Sequence, residues 1–174
     1  MVLKELKLED AEKISLQINA KLEPHCEKLE VAGSIRRKKP IVHDVDFVVV
    51  TQDSGWQRIS DELRKMKTKN ICAGAAVIKT LYPLANDYFQ VDFYRAEPST
   101  FGIHKLVRTG SAEHNMWLAG YANSKGMRLQ YSRGLMKDGQ AVAGEEERGV
   151  FEALSLPCPE PEKREVIDGK PIWL

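Results

Sequence analysis

Cysteine, aromatic residues, net charge and long apolar runs are all scarce in this sequence of 174 residues. The three cysteines are odd in number and far apart, which argues against a disulfide framework or a zinc-binding cysteine cluster. Reduced thiols predict a reducing, cytoplasm-like compartment, and a nuclear or viral setting is equally compatible with them. No apolar run approaches the roughly 20 residues of a membrane span, and the N-terminus lacks the apolar core of a secretory signal. The sequence therefore predicts no contact with a membrane.

The net charge is only +1, yet the charges are unevenly distributed along the chain. Residues 101–139 contain six Lys or Arg and two Asp or Glu, whereas residues 140–174 contain four and eight. The composition, with 43% hydrophobic and 29% charged side chains, is that of a globular protein and excludes a disordered chain. A protein with this balance binds nucleic acid only through a local basic patch.

Hydrophobic periodicity predicts an α+β fold. Apolar residues at three- and four-residue spacing from about Asp10 to Leu29 predict a helix, and the run 45–50 predicts a strand buried on both faces. The other elements predicted before residue 98 are a strand over 29–32, a helix over 56–66, and strands over 71–81 and 88–94. Those predicted after it are helices over 99–108, 112–124 and 145–154, and short strands over 127–131 and 134–137. The change of pattern after Pro98 predicts one domain over residues 1–98 and a second over 99–174.

Two acidic side chains accompany the most apolar segment of the sequence. Asp44 and Asp46 flank the start of the run VDFVVV, and Asp92 stands equally isolated within YFQVDFY. Because side chains alternate along a strand, the first two carboxylates project from one face, about 7 Å apart at the backbone. Carboxylates without a counter-charge are costly there, and a divalent cation such as Mg²⁺ compensates them. If the two strands are neighbours, the three carboxylates form a two-metal site suited to phosphoryl transfer.

A glycine–serine pair precedes these carboxylates. Two aspartates separated by one residue are common in proteins, and they usually mark a strand end or a solvated turn. Here nine residues separate Ser34 from Asp44, and Gly33 stands directly before the serine. A turn glycine lets backbone amides approach an anion, and a serine hydroxyl adds a hydrogen bond to a phosphate. The combination favours a site for a metal ion and a phosphate.

Three separate motifs of this sequence resemble motifs of one protein family, and they follow one another in the same order as in that family. Residues 33–37, Gly-Ser-Ile-Arg-Arg, are similar to the phosphate-binding turn of family X DNA polymerases, members of the nucleotidyltransferase superfamily typified by DNA polymerase beta. Residues 109–115 resemble the segment that holds the incoming nucleotide in those enzymes, and residues 144–165 resemble the C-terminal stretch of the family. The resemblance spans about residues 10 to 166. It implies a minimal form with a catalytic palm and a nucleotide-selection domain.

The resemblance also implies the fold and the cofactors. Residues 1–98 would form the nucleotidyltransferase palm, a mixed sheet with helices on one side. Residues 99–174 would form a small, mostly helical lobe with a β-hairpin. The implied cofactors are two Mg²⁺ ions, for which Mn²⁺ can substitute.

By the same resemblance, Asp44 and Asp46 would coordinate both metals. Asp92 would hold the catalytic metal and help to deprotonate a primer 3′-hydroxyl. The nucleotide-binding residues that it implies are Gly33, Ser34, Arg37, Gly110 and Asn115, of which Ser34 and Arg37 match positions that contact the β- and γ-phosphates. Without the resemblance, Asn115 is interpreted as an exposed polar residue on the helix predicted over 112–124.

The sequence departs from the family at positions that contact sugar and template. Val107 and Arg108 stand where the family carries an aromatic pair that distinguishes deoxyribose from ribose, so this candidate sugar gate predicts acceptance of ribonucleotides. Trp117 and Ala119 replace arginines that reach the template strand. The candidate DNA-binding residues that remain are Lys105, Arg128 and Arg133.

Three functions stay open at this level. The first is a template-directed DNA polymerase of the repair type, which fills gaps on primer–template or gapped DNA with deoxynucleotides and, as a second option, ribonucleotides. The second is a template-independent terminal nucleotidyltransferase that acts on DNA or RNA. The third is a non-catalytic nucleic-acid-binding or antitoxin-like module of the same fold. The sequence predicts no particular protein partner.

Overall fold

The computed structural model describes residues 3–174, and the chain divides into two compact units, Met1–Ala96 and Glu97–Leu174. Their assignment as a catalytic palm and a nucleotide-selection domain stays a prediction. No helix in the described part of the chain is both long enough and apolar enough to cross a membrane.

The first unit alternates strands and helices. Its elements in chain order are β1 (Leu6–Lys7), α1 (Leu8–Leu22), β2 (Lys28–Val31), α2 (Gly33–Arg36), β3 (Ile41–Val42), β4 (Asp44–Val50), α3 (Asp53–Lys65), β5 (Lys69–Ala73), β6 (Val77–Pro83) and β7 (Tyr88–Arg95). Five of these strands form a sheet in the order β2-β4-β7-β6-β5, and β1 pairs with β3 separately. Within the sheet β4 and β7 are parallel and the other neighbours are antiparallel, so the predicted mixed sheet is confirmed.

One face of this sheet is covered by α1 and α3. The side chains of Val45, Phe47 and Val49 on β4 pack in one cluster with Ile18 of α1 and Ile59 of α3. The rings of Phe47 and Phe93 stack with centroids 5.1 Å apart, which joins β4 to β7. Because strand side chains alternate, the aspartates of β4 project from the opposite face. Val48 and Val50 on that face are also buried, as the continuous apolar run predicts.

The second unit combines helices with a small sheet. Its elements are α4 (Phe101–Thr109), α5 (Ala112–Ser124), β8 (Met127–Gln130), β9 (Gly134–Lys137), β10 (Gln140–Ala143), α6 (Glu147–Ala153), β11 (Val166–Ile167) and β12 (Lys170–Pro171). Ser111 caps α5, since its side chain accepts a hydrogen bond from the His114 amide. The core contains Leu106, Leu118 and Phe151. The strands β8, β9 and β10 form a three-stranded antiparallel sheet, which contains the predicted β-hairpin.

Two element boundaries predicted from the sequence are wrong. The helix predicted to reach Leu29 ends at Leu22, because Pro24 starts a short 3₁₀-helix at Glu23–His25 and the chain then enters β2. The single strand predicted over 71–81 is the two antiparallel strands β5 and β6, with the Gly74 amide bonded to the Val77 carbonyl at 2.8 Å. The small residues at 73–76 form a tight turn that apolar periodicity does not reveal.

Candidate metal and phosphate site

Three carboxylates converge on the sheet face opposite α1 and α3. Asp44 and Asp46 lie at the start of β4, and the parallel register places Asp46 directly beside Asp92 on β7. One ligand oxygen from each of the three lies within 4.8 Å of the others. The pleat puts Asp44 and Asp46 on one face, and the adjacency of the two strands brings in the third carboxylate. The structure thus places together the residues that the sequence proposed as metal ligands.

Like charges and burial dominate the electrostatics of this cluster. Burial raises the pKa of the Asp44 carboxyl, and the charge of Asp92 raises it further. Lys79 on β6 lies opposite Asp92 in the register, with its Nζ 2.6 Å from Asp92 Oδ2. The hydrogen bond to Asp92 raises the pKa of Lys79. The positive charges of Lys79 and Arg37 act in the opposite direction and lower the pKa of Asp44.

Asp92 is also held by two neighbours on its own strand. The Tyr94 hydroxyl donates to Asp92 Oδ2 at 3.0 Å, and Gln90 Nε2 lies 3.1 Å from Oδ1. These contacts fix the direction in which the carboxylate points. Sequence reasoning missed both residues and Lys79, although Gln90 and Tyr94 stand two positions on either side of Asp92. That spacing puts three side chains on one face of a strand and could have identified them.

The Gly33 turn lies against the same carboxylates. Gly33 has a φ of +61°, and a Cβ at this position would stand 2.3 Å from Asp46 Oδ2. The Ala32 amide donates to the Asp46 carbonyl at 2.8 Å, which ties the turn to β4. Among the described residues no hydrogen-bond partner exists for the buried Ser34 Oγ. A buried hydroxyl without a hydrogen-bond partner is well placed to form a hydrogen bond with a bound ligand.

The donor set fits a hard divalent cation. Carboxylate oxygens are the ligands that Mg²⁺ prefers, and the cluster offers them from three side chains on adjacent strands. Burial, and after it the charge of Asp92, raises the pKa of Asp44, and such a cation would stabilise the ionised carboxylate. Arg37 follows α2, and its charge acts to lower the Asp44 pKa. The arrangement can therefore bind metal ions next to a phosphate.

The candidate nucleotide residues of the second unit lie where α4 gives way to α5. Gly110 ends α4 with a φ of +75°. Asn115 is half-buried and not exposed, so the interpretation drawn without the family is wrong. Its Nδ2 donates to the Val107 carbonyl at 2.8 Å, while its Oδ1 is buried with no hydrogen-bond partner in residues 3–174. Val107 packs at the edge of the second core, and Arg108 is half-exposed.

The candidate DNA-binding residues lie on different elements of the second unit. Arg128 and Arg133 are exposed and line a shallow cleft beside the β8–β9 sheet together with Gln130 and Asp138. Lys105 lies on α4, half-buried, and does not line that cleft. Trp117 stacks on Tyr121 with ring centroids 5.2 Å apart, as a packed core residue does.

Comparison with known proteins supports the same family. Residues 105–165, within the second unit, match the DNA polymerase beta thumb model. The DNA polymerase/3′-5′ exonuclease PolX of Bacillus subtilis is 26% identical over 143 residues, which cover 81% of this chain and 25% of that protein. DNA polymerase IV of Saccharomyces cerevisiae is 32% identical over 77 residues, which cover 44% of this chain and 13% of that protein.

The chain thus spans a quarter or less of the length of these two relatives. The thumb match falls in the second unit, while the PolX alignment covers four-fifths of the chain and so extends beyond the second unit. Together with the mixed α/β fold, these partial matches support a protein similar to family X DNA polymerases.

Proposed function

We propose that the protein is a template-directed DNA polymerase of the gap-filling repair type. It would transfer a nucleotide from a deoxynucleoside triphosphate to a primer 3′-hydroxyl, with release of pyrophosphate. The observation that supports this most directly is the convergence of Asp44, Asp46 and Asp92 beside the Gly33 turn. The similarity to family X polymerases supports the choice of substrate class.

The acidic cluster is proposed as the centre of the reaction. Asp44, Asp46 and Asp92 would hold two Mg²⁺ ions, or Mn²⁺ in their place, which supply Lewis-acid activation of the attacking oxygen and stabilise the leaving oxygen. Ser34 would donate its buried hydroxyl to a phosphate oxygen. Arg37 would pair with the phosphates, where a guanidinium offsets the charge that develops on pyrophosphate.

The second unit is proposed as the nucleotide-selection domain. Gly110 and the free carbonyl oxygen of Asn115 would lie against the sugar and base of the incoming nucleotide. Val107 and Arg108 would form the sugar gate, and the loss of an aromatic pair there predicts that ribonucleotides are also accepted. Arg128 and Arg133, with Lys105, would contact the DNA backbone, so binding should weaken as salt rises.

Primer extension by an Asp92→Asn variant tests the proposal. The reaction is run with Mg²⁺ or Mn²⁺ on recessed and gapped DNA, with Asp61→Asn as the matched control on the exposed side of α3. Loss of a metal ligand removes several kcal/mol of transition-state stabilisation, which is on the order of a 10³-fold loss in rate. The control should extend primers as the wild type does. An Asp92→Asn variant of near-normal turnover would contradict the assigned role of this carboxylate.

A template-independent nucleotidyltransferase is the second candidate. The absence of the arginines with which the family contacts the template favours this candidate. At those positions Trp117 packs against Tyr121 and Trp173, and Ala119 carries no charge. The same assay on single-stranded DNA and RNA distinguishes the two. Incorporation matched to the template supports a polymerase, and indifferent tailing of single strands supports the second candidate. No incorporation on any substrate would indicate a non-catalytic nucleic-acid-binding module.

A further inference from the structure

Asp92 is the most deeply buried member of the acidic cluster, and neighbouring side chains already form hydrogen bonds to both of its carboxylate oxygens. The residue is 1% exposed. Its Oδ2 accepts hydrogen bonds from Lys79 Nζ at 2.6 Å and from the Tyr94 hydroxyl at 3.0 Å, and Gln90 Nε2 lies near both oxygens at 3.1 and 3.2 Å. A buried carboxylate demands such partners, because an uncompensated charge in the interior is strongly unfavourable.

Only one of these three partners carries a charge. Lys79 reaches Asp92 from β6, where it stands directly opposite in the antiparallel register, so the pairing is imposed by the backbone. Its side chain is 39% exposed, and it therefore spans from solvent to the buried oxygen. Long lysine side chains do this readily, since the aliphatic stem packs while the ammonium stays near water. In this position Lys79 is the fixed counter-charge of a proposed metal ligand.

A divalent cation at Asp92 would supply the same positive charge to the same carboxylate. With a cation bound, the lysine would no longer be needed for neutralisation, and its charge would repel the cation. Lys79 would therefore have opposite effects on the metal-free and the metal-bound form of the site. It stabilises the protein without metal and weakens the binding of metal.

We propose that Lys79 is a positioning residue that takes the place of the metal at Asp92. It holds the carboxylate in the cluster when no ion is bound, and it lowers the affinity of the cluster for divalent cations. The inference rests on the proposed function, because it takes Asp92 as a metal ligand. It adds a residue on a third strand, outside the three carboxylates, whose charge sets how tightly the cluster binds the ion.

The test measures Mn²⁺ binding to the full chain by electron paramagnetic resonance, without nucleotide or DNA. Wild type is compared with Lys79→Met and with Lys65→Met, which removes a lysine from the exposed pair with Glu62 on α3. We expect the Kd for Mn²⁺ to fall about tenfold in Lys79→Met, since one repelling charge beside the ion is gone. Lys65→Met should bind Mn²⁺ as the wild type does.

Thermal unfolding provides the second readout. In EDTA, Lys79→Met should unfold at a lower temperature than the wild type, because Asp92 loses its counter-charge. Saturating Mn²⁺ should raise the unfolding temperature of the variant by more than that of the wild type. Lys79→Gln, which keeps a hydrogen-bond donor without the charge, carries the same expectation for Mn²⁺ affinity if the methionine variant does not fold.

The outcomes separate the inference from the function on which it rests. Lower stability of the variants with unchanged or weaker Mn²⁺ binding would show that Lys79 only supports the fold, and would overturn the inference alone. A wild-type protein that binds no Mn²⁺ would overturn the proposed metal site and the inference with it.

Discussion

Each of the two units contains an ion pair with at least one buried member, and the two pairs differ in what surrounds them. In the first unit Lys79 compensates Asp92, and the carboxylates of Asp44 and Asp46 lie within 4.8 Å in a group that could hold a metal ion. In the second unit Arg164 pairs with Glu147, and its guanidinium also donates to the Pro159 carbonyl and lies over the Phe151 ring. The guanidinium of Arg164 thus has its charge and its hydrogen-bond donors directed to partners within the second unit.

The difference separates a functional cluster from a structural one. A buried pair with all its charges matched and its donors used holds chain segments together and offers nothing to a ligand. An ion pair beside further carboxylates, such as Asp44, whose pKa is raised by burial and by the charge of Asp92, gains stability from a ligand of opposite charge. By this criterion the acidic cluster is the proposed binding site, whereas the Arg164 pair anchors the C-terminal segment to α6. Variants in both places test that distinction.

The largest effect on stability is expected from Arg164→Met. Arg164 is 1% exposed, and its loss leaves Glu147 without its partner and the Pro159 carbonyl without its donor. Breaking a buried pair by removing one member costs about 3–5 kcal/mol in the free energy of unfolding. Urea denaturation measures this cost. The exposed pair of Arg64 and Asp61 gives the control, since Arg64→Met should change the free energy by about 1 kcal/mol or less.

The next largest effect is expected on activity, from a substitution in the Gly33 turn beside the acidic cluster. In Gly33→Ala the new methyl group would meet Asp46 Oδ2 at 2.3 Å, at a backbone angle that alanine rarely adopts. Displacing a metal ligand by a fraction of an ångström should lower primer extension by about 100-fold. Gly149→Ala on α6 is the matched control, because nothing lies within 4 Å of the added Cβ. Equal loss in both variants would contradict a specific role for the Gly33 turn.

The sequence predicted the carboxylates better than their surroundings, for a physical reason. The alternation of strand side chains is local, so Asp44 and Asp46 could be placed on one face from residues 44–50 alone. Lys79 could not be found in this way, because its contact depends on the register between β6 and β7. The sequence also predicted β5 and β6 as a single strand, so the register of β6 against β7 could not be inferred from it. The half-burial of Asn115 was likewise not predictable without the family resemblance, because the residue contacts the Val107 carbonyl on another helix.

A smaller effect, on pH dependence, is expected at His104 in the second unit. Burial, together with the nearby charge of Arg108, lowers the pKa of His104 from 6.5 to about 4. The unfolded chain therefore takes up a proton near pH 6.5 that the folded protein does not accept until about pH 4. The free energy of unfolding should fall by about 2 kcal/mol between pH 7 and about pH 4.5 from this group.

Comparison with His104→Gln isolates that contribution, since the other titrating groups are shared. The variant should lose less stability over the same pH range. A difference between the two proteins that stays constant with pH would show that the buried imidazole does not resist protonation, and that this part of the second unit is more open than its burial indicates.

The smallest effect tests whether the second unit contributes to substrate choice at all. Arg108→Tyr restores one bulky ring to the candidate sugar gate at a half-exposed position that can accommodate it. A steric contact at the ribose 2′-hydroxyl should raise the preference for deoxynucleotides over ribonucleotides by about tenfold in kcat/KM. Arg148→Tyr, an exposed arginine on α6, removes the same charge elsewhere and should leave the ratio unchanged. If Arg108→Tyr also leaves it unchanged, the position does not contact the sugar, and selection of the nucleotide must depend on other residues. A shift confined to Arg108→Tyr would instead show that the second unit contacts the sugar of the nucleotide and selects it by shape.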